Sequence, residues 1–90
     1  LERYLNQGKV VCLGTDSRAS NPDLDLFAEM RFVRSCFPEI ASETILRMGT
    51  VNGAQAIGIG SDFGSIEIGK CADLVALSVE ENLDDPFALL

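Results

Sequence analysis

Histidine is absent from these 90 residues, and that absence excludes more than any residue present. Without an imidazole, the chain's own side chains cannot complete a histidine–metal centre. Clustered positive charge is missing too. Arg3, Lys9, Arg18, Arg31, Arg34, Arg47 and Lys70 are scattered and the formal net charge is −7, which argues against nucleic acid, whose phosphates need grouped Lys and Arg. No apolar run approaches the ~18 residues that span a bilayer, and no basic-then-apolar start marks a signal peptide. A membrane partner is therefore not expected. Cys12, Cys36 and Cys71 are odd in number, far apart and set among apolar residues. That pattern excludes a disulfide framework or zinc knuckle and predicts buried, reduced thiols in a cytoplasmic protein.

What remains is an ordinary globular composition, sufficient for one small domain with a thin core. Glu80, Glu81, Asp84 and Asp85 gather without a base near them and read as a solvated edge. The most informative stretch is Lys9-Val10-Val11-Cys12-Leu13-Gly14-Thr15-Asp16-Ser17. Its uninterrupted apolar centre suits a strand buried on both faces, as in a parallel sheet, that hands one carboxylate to its C-terminal end.

Around it, periodicity predicts mostly helix. Leu1, Tyr4 and Leu5 fall at i, i+3 and i+4 and Gly8 ends that short segment. Asn21-Pro22 predicts a helix start, with Asp23 and Asp25 in its first turn favoured by the helix dipole. Leu26, Phe27, Met30, Val33 and Phe37 form its apolar stripe and Pro38 closes it; Glu29 falls off the stripe and reads as structural. A second start stands at Ser42, followed by Ile45, Leu46 and Met48. Thr50 is placed to cap a third helix carrying Val51, Ala54 and Ile57, which ends near Gly58 or Gly60. The period then changes: 65–68 and 73–78 read as two short strands joined at Gly69-Lys70. Asp84-Asp85-Pro86 starts another helix that the chain end cuts off.

Asp16 admits two readings from its position alone. At the end of a parallel strand it can face an active site, binding a divalent ion and accepting a proton from the water that ion acidifies. More simply, it satisfies backbone N–H groups in a turn, the reading that spacing alone favours. Gly58-Ile59-Gly60-Ser61-Asp62-Phe63-Gly64 imitates a dinucleotide loop, but its glycines follow a helix and precede a strand. A phosphate-binding loop needs the reverse order, so a helix cap and turn are the better reading.

Longer blocks shift the balance. Gly14-Thr15-Asp16-Ser17, Ala19-Ser20-Asn21, Leu24-Asp25-Leu26 and Glu29-Met30 together resemble the amidohydrolase superfamily, in particular its branch of cyclic deaminases and chlorohydrolases. Met48-Gly49-Thr50-Val51-Asn52-Gly53-Ala54 with Ala56-Ile57-Gly58 resembles that family's "ATxNGAxALG" segment. Residues 64–75 resemble its "GSIExGKxADLV" turn, and the blocks stand in family order. Asp85-Pro86-Phe87 resembles the start of its "DP" helix.

The resemblance implies an α/β fragment: the last strand and helices of a (β/α)8 metal-dependent hydrolase barrel, plus a short β-hairpin of an accessory β-sandwich. On that view residues 1–63 are the C-terminal part of the barrel, with 9–14 its last strand and 22–36 a helix outside it. Residues 64–90 return to the sandwich and a truncated terminal helix. The resemblance makes Asp16 both metal ligand and catalytic carboxylate, shuttling a proton from the attacking water to the leaving amine. Ser17, with Ser20 and Asn21, would orient it by hydrogen bonds, and Asn21 also suits a helix cap. The implied cofactor is zinc or iron, and the implied substrate a small nucleobase-, nucleoside- or triazine-like molecule losing a ring amino group. The family's histidines and acidic glutamate would lie upstream of Leu1, so the 90 residues alone are expected to be inactive and without metal. The alternative is a non-catalytic interaction module, and either way exposed apolar faces predict self-association of the isolated chain.

Overall fold

A computed structural model describes residues 1–80 and 83–90. Glu81, part of the acidic run, lies outside the described residues. The ordered elements are α1 (Glu2–Asn6), α2 (Leu26–Cys36), α3 (Ser42–Met48), α4 (Val51–Ala56) and a 3-10 turn (Pro86–Leu89). No helix is long and apolar enough to cross a membrane.

The apolar stripe of α2 does what its spacing predicts. Met30 is buried against Ile40 and Ile45, and Phe27, Val33 and Phe37 pack around them with Leu1, Leu5, Leu13 and Leu90. Ile45 and Met48 of α3 are both fully enclosed, at 0% exposure. The α3–α4 turn approaches α2 closely. A Cβ built on Gly49 would stand 2.5 Å from Met30 Sδ, so only glycine lets Met30 fill that place.

The helix ends correct the sequence reading at two points. Asn21-Pro22 does not start α2. The helix begins at Leu26, where the Asp25 side chain accepts from Ala28 N at 3.0 Å, because the Asn21 side chain is engaged elsewhere. Thr50 does not cap α4 through its side chain; its Oγ1 donates back to Leu46 O at 2.7 Å. That bond closes the end of α3 instead.

Residues 9–14 belong to no helix, but among the described residues no β-ladder forms. A strand needs a neighbour about 4.7–4.9 Å away, and here the neighbours are helix ends. Leu13 N donates to Met48 O at 2.9 Å, and Asn52 Nδ2 donates to Val11 O at 2.8 Å. Burial consequently alternates, contrary to the two-sided burial expected. Val11, Leu13 and Thr15 are half-buried against the helices, whereas Val10 is 71% exposed and Cys12 faces out. Cys36 and Cys71 are exposed as well, so all three thiols are free and accessible rather than buried.

The hairpin expected over 65–78 has its turn but not its ladder. Lys70 N donates to Glu67 O at 3.1 Å and Gly69 has φ +90°, the positive angle a type II turn demands. Cys71 N still donates to Asp62 O at 2.8 Å, and residues 72–80 run on exposed and outside any ladder. The glycine loop before them is a cap and turn, as its order implies. Gly58 ends α4 at φ +80°, and Gly64 lies against Val51 and Ala54. Lys70 fastens it, donating to Gly60 O at 2.7 Å and Ser65 Oγ at 2.8 Å while pairing with Glu67 at 2.9 Å.

Candidate active-site segment

The tethered segment 9–14 delivers its chain to the exposed Asp16. Asp16 has φ 58° and is the only non-glycine with positive φ among the described residues. An L-residue in this left-handed region is disfavoured, aspartate less so than most, and such outliers gather at functional sites.

Four neighbours hold the turn. Ser20 Oγ donates to Asp16 Oδ2 at 2.8 Å. Ser17 does not touch the carboxylate; its carbonyl accepts Ser20 N at 3.1 Å and Asn21 N at 2.9 Å, and its Oγ lies 3.5 Å from Ser20 Oγ. Thr15 Oγ1 leans on Asp16 O at 3.4 Å. Asn21 turns its side-chain amide inward, donating from Nδ2 to Thr15 O at 3.0 Å and to Glu29 Oε1 at 2.5 Å. Glu29, read from sequence as a structural residue of the helix face, is thus half-buried and linked to the loop.

Asn52 is the other residue whose part was not legible. It stands inside the recognisable Asn52-Gly53-Ala54 block, yet its partner lies 41 residues away. Nothing local marked it, since α4 carries a second amide, Gln55, only three residues on.

Chemically, the segment offers one accessible carboxylate with a defined hydrogen-bond donor. No group of three or more His, Cys, Asp or Glu able to hold a metal ion occurs among the described residues. Metal centres draw on three or four protein ligands, so the donor set fits a residue that contributes one ligand and not a complete site. Among the described residues, the titratable groups displaced from their ordinary values are Glu2, Glu39 and Glu67. A hydrogen bond between Glu2 and Glu39 raises the first and lowers the second, and hydrogen bonds from Lys70 and then Ser65 lower Glu67.

Known proteins share this segment. A 5-methylthioadenosine/S-adenosylhomocysteine deaminase of Teredinibacter turnerae is 40% identical over 82 residues, covering 83% of this chain and 19% of the relative. The protein of that name from Thermococcus onnurineus is 43% identical over 84 residues, covering 86% and 19%. A 5'-deoxyadenosine deaminase of Methanosarcina barkeri is 38% identical over 86 residues, covering 88% and 19%. The chain thus spans about a fifth of the length of these relatives. The sequence model of the amidohydrolase family matches residues 1–90, a family that fits a metal-dependent hydrolase barrel. With that match running through the Asp16 turn, its tethers and the Lys70 clamp alike, the chain belongs to the amidohydrolase family.

Proposed function

We propose that these residues serve a metal-dependent deaminase that removes the ring amino group of an adenosine-type nucleoside, with Asp16 as its catalytic carboxylate. The observation that carries the reading is the conformation of Asp16: a strained, exposed carboxylate held by Ser20 where the tethered segment 9–14 runs out. In such a reaction water adds to the ring carbon bearing the amino group. Asp16 takes a proton from that water and passes it to the nitrogen, ammonia leaves, and an oxo group remains. A bound zinc or iron ion would supply the acidified water, and Asp16 is the residue of this chain that would help to hold it. Ser17 supports the carboxylate through Ser20. Residues 1–63 belong with the barrel on this reading and 64–90 with its accessory sandwich. A cytoplasmic setting agrees with three free thiols.

The test is ammonia release from 5′-methylthioadenosine, S-adenosylhomocysteine and 5′-deoxyadenosine by the full-length protein carrying these residues. Chelation should abolish it and zinc or iron restore it. An Asp16→Asn protein that still turned over would remove Asp16 from the mechanism.

A second reading has its own observation. Val10, Ile66, Ile68, Leu74, Val75 and Val79 are exposed, an apolar surface that the 90 residues alone leave open. On this reading the isolated chain self-associates through segments 9–14 and 71–79. A monodisperse monomer in sedimentation at micromolar concentration would refute it.

A further inference from the structure

We propose that Asn21 and Glu29 form a strut that sets the backbone angle of Asp16, making both of them positioning residues for the reaction; this rests on the reading of Asp16 as the catalytic carboxylate. The strut begins in the core. Met30 is seated there at 6% exposure, and the Asp25 cap fixes the start of α2. Glu29, next to Met30, therefore projects from a well-anchored turn. Its Oε1 accepts one N–H of Asn21, and the other N–H of the same amide goes to Thr15 O.

The orientation of that amide has one solution. Glu29 Oε1 and Thr15 O are both acceptors in these bonds, so the Nδ2 side faces both. Thr15 O belongs to the peptide that precedes Asp16. Rotating that peptide changes the φ of Asp16, so holding its oxygen holds the angle at 58°. Ser20 then orients the carboxylate on a backbone already fixed. The two contacts divide the labour: Ser20 aims the side chain, and the strut sets the chain from which it projects. A turn left to relax would drift towards negative φ, where L-residues are more stable, and would swing the carboxylate away.

The strut is tested in the full-length, metal-loaded protein with 5′-methylthioadenosine as substrate. Asn21→Asp keeps the shape of the side chain, removes both N–H donors and sets a carboxylate against Glu29. It should lower kcat by about 10- to 100-fold, the loss typical for groups that orient a metal ligand, with KM essentially unchanged. Glu29→Ala should lower kcat in the same way, and Glu29→Gln, which keeps an acceptor for Asn21, should recover most of that loss. The double variant Asn21→Asp/Glu29→Gln rebuilds the 21–29 hydrogen bond with its polarity reversed but leaves Thr15 O without a donor. It should regain stability and stay slow, and it keeps the test alive if Asn21→Asp alone does not fold. Recovery of kcat together with stability in the double variant would reduce the pair to a structural contact and overturn the strut. So would native kcat in Asn21→Asp while Asp16→Asn is inactive, an outcome that leaves the reading of Asp16 standing. Turnover by Asp16→Asn would instead overturn that reading and the strut with it.

Discussion

Substitutions at Asp16 should separate stability from activity, because the residue combines a carboxylate with a conformation that L-residues avoid. At φ 58° an ordinary side chain costs about 1–2 kcal/mol, and asparagine or aspartate less. The Ser20 hydrogen bond, 2.8 Å long but exposed to solvent, is worth about 0.5–1 kcal/mol net. Asparagine keeps the tolerance for this backbone and a side-chain oxygen for Ser20, so Asp16→Asn should stay within about 0.5 kcal/mol of the native chain. Alanine loses both and should cost about 1–2 kcal/mol. Glycine loses the hydrogen bond but relieves the backbone, and the two effects nearly cancel. The expected order of stability is therefore Asn close to Gly, with Ala below both. Urea unfolding of the 90-residue chain, followed by far-UV circular dichroism, measures it. In the full-length protein all three variants should lose ammonia release, however stable they are. An Asp16→Ala chain as stable as Asp16→Asn would show that the turn carries no strain and refute the reasoning.

The glycines give an independent check of the loop after α4. Gly53→Ala, in a helix with nothing within 4 Å of the added Cβ, should stabilise by about 0.5–1 kcal/mol. Gly69→Ala, at φ +90° with equal room, should cost about 1–3 kcal/mol of backbone strain. Gly64→Ala combines φ +96° with a Cβ only 2.8 Å from Ala54 Cβ and 2.9 Å from Val51 Cα, and overpacking should add about 1–3 kcal/mol. Equal losses at 64 and 69 in thermal melts would mean that the loop does not lie on α4. Acid should loosen the Lys70 clamp. Hydrogen bonds from Lys70 and Ser65 lower Glu67 in the folded chain, so its contribution is present above the ordinary glutamate value of about 4.3 and fades as pH falls through the lowered one. The amide of Cys71, bonded to Asp62 O at 2.8 Å, is the NMR reporter; an unchanged acid profile in Glu67→Gln would leave the ion pair without effect.

Local signals carried as far as local physics reaches. The stripe of α2 and the stops at Gly8 and Gly58 follow from side-chain spacing and glycine's freedom at positive φ, which act over a few residues. Asn21 misled because its amide has two uses, a cap for the next helix or a strut between distant acceptors. Which prevails depends on Glu29 arriving beside Thr15. The choice of Ser20 over Ser17 as partner of Asp16 follows from the left-handed turn, which brings residues 16 and 20 together. The continuous apolar run at 10–13 does not say how many faces will be covered. α3 and α4 cover one, so Cys12 came to the surface. The Asn52–Val11 bond was invisible for the plainest reason: its partners are far apart in sequence.

That bond also has a clock attached to it. Val11 O accepts from a residue 41 positions later. At a synthesis rate of about 5–20 residues per second, the segment around Val11 waits roughly 2–8 s after its own synthesis before Asn52 has been made. Through that interval Val10-Val11-Cys12-Leu13 is an apolar stretch of high strand propensity whose helical cover does not yet exist. The tether of Val11 therefore closes well after the Asp16 turn itself can form, because Ser20, Asn21 and Glu29, which hold that turn, follow it closely in sequence. Slow translation between Asp16 and Asn52 lengthens the exposure of one short sticky strand, and rapid closure of the α3–α4 pair ends it.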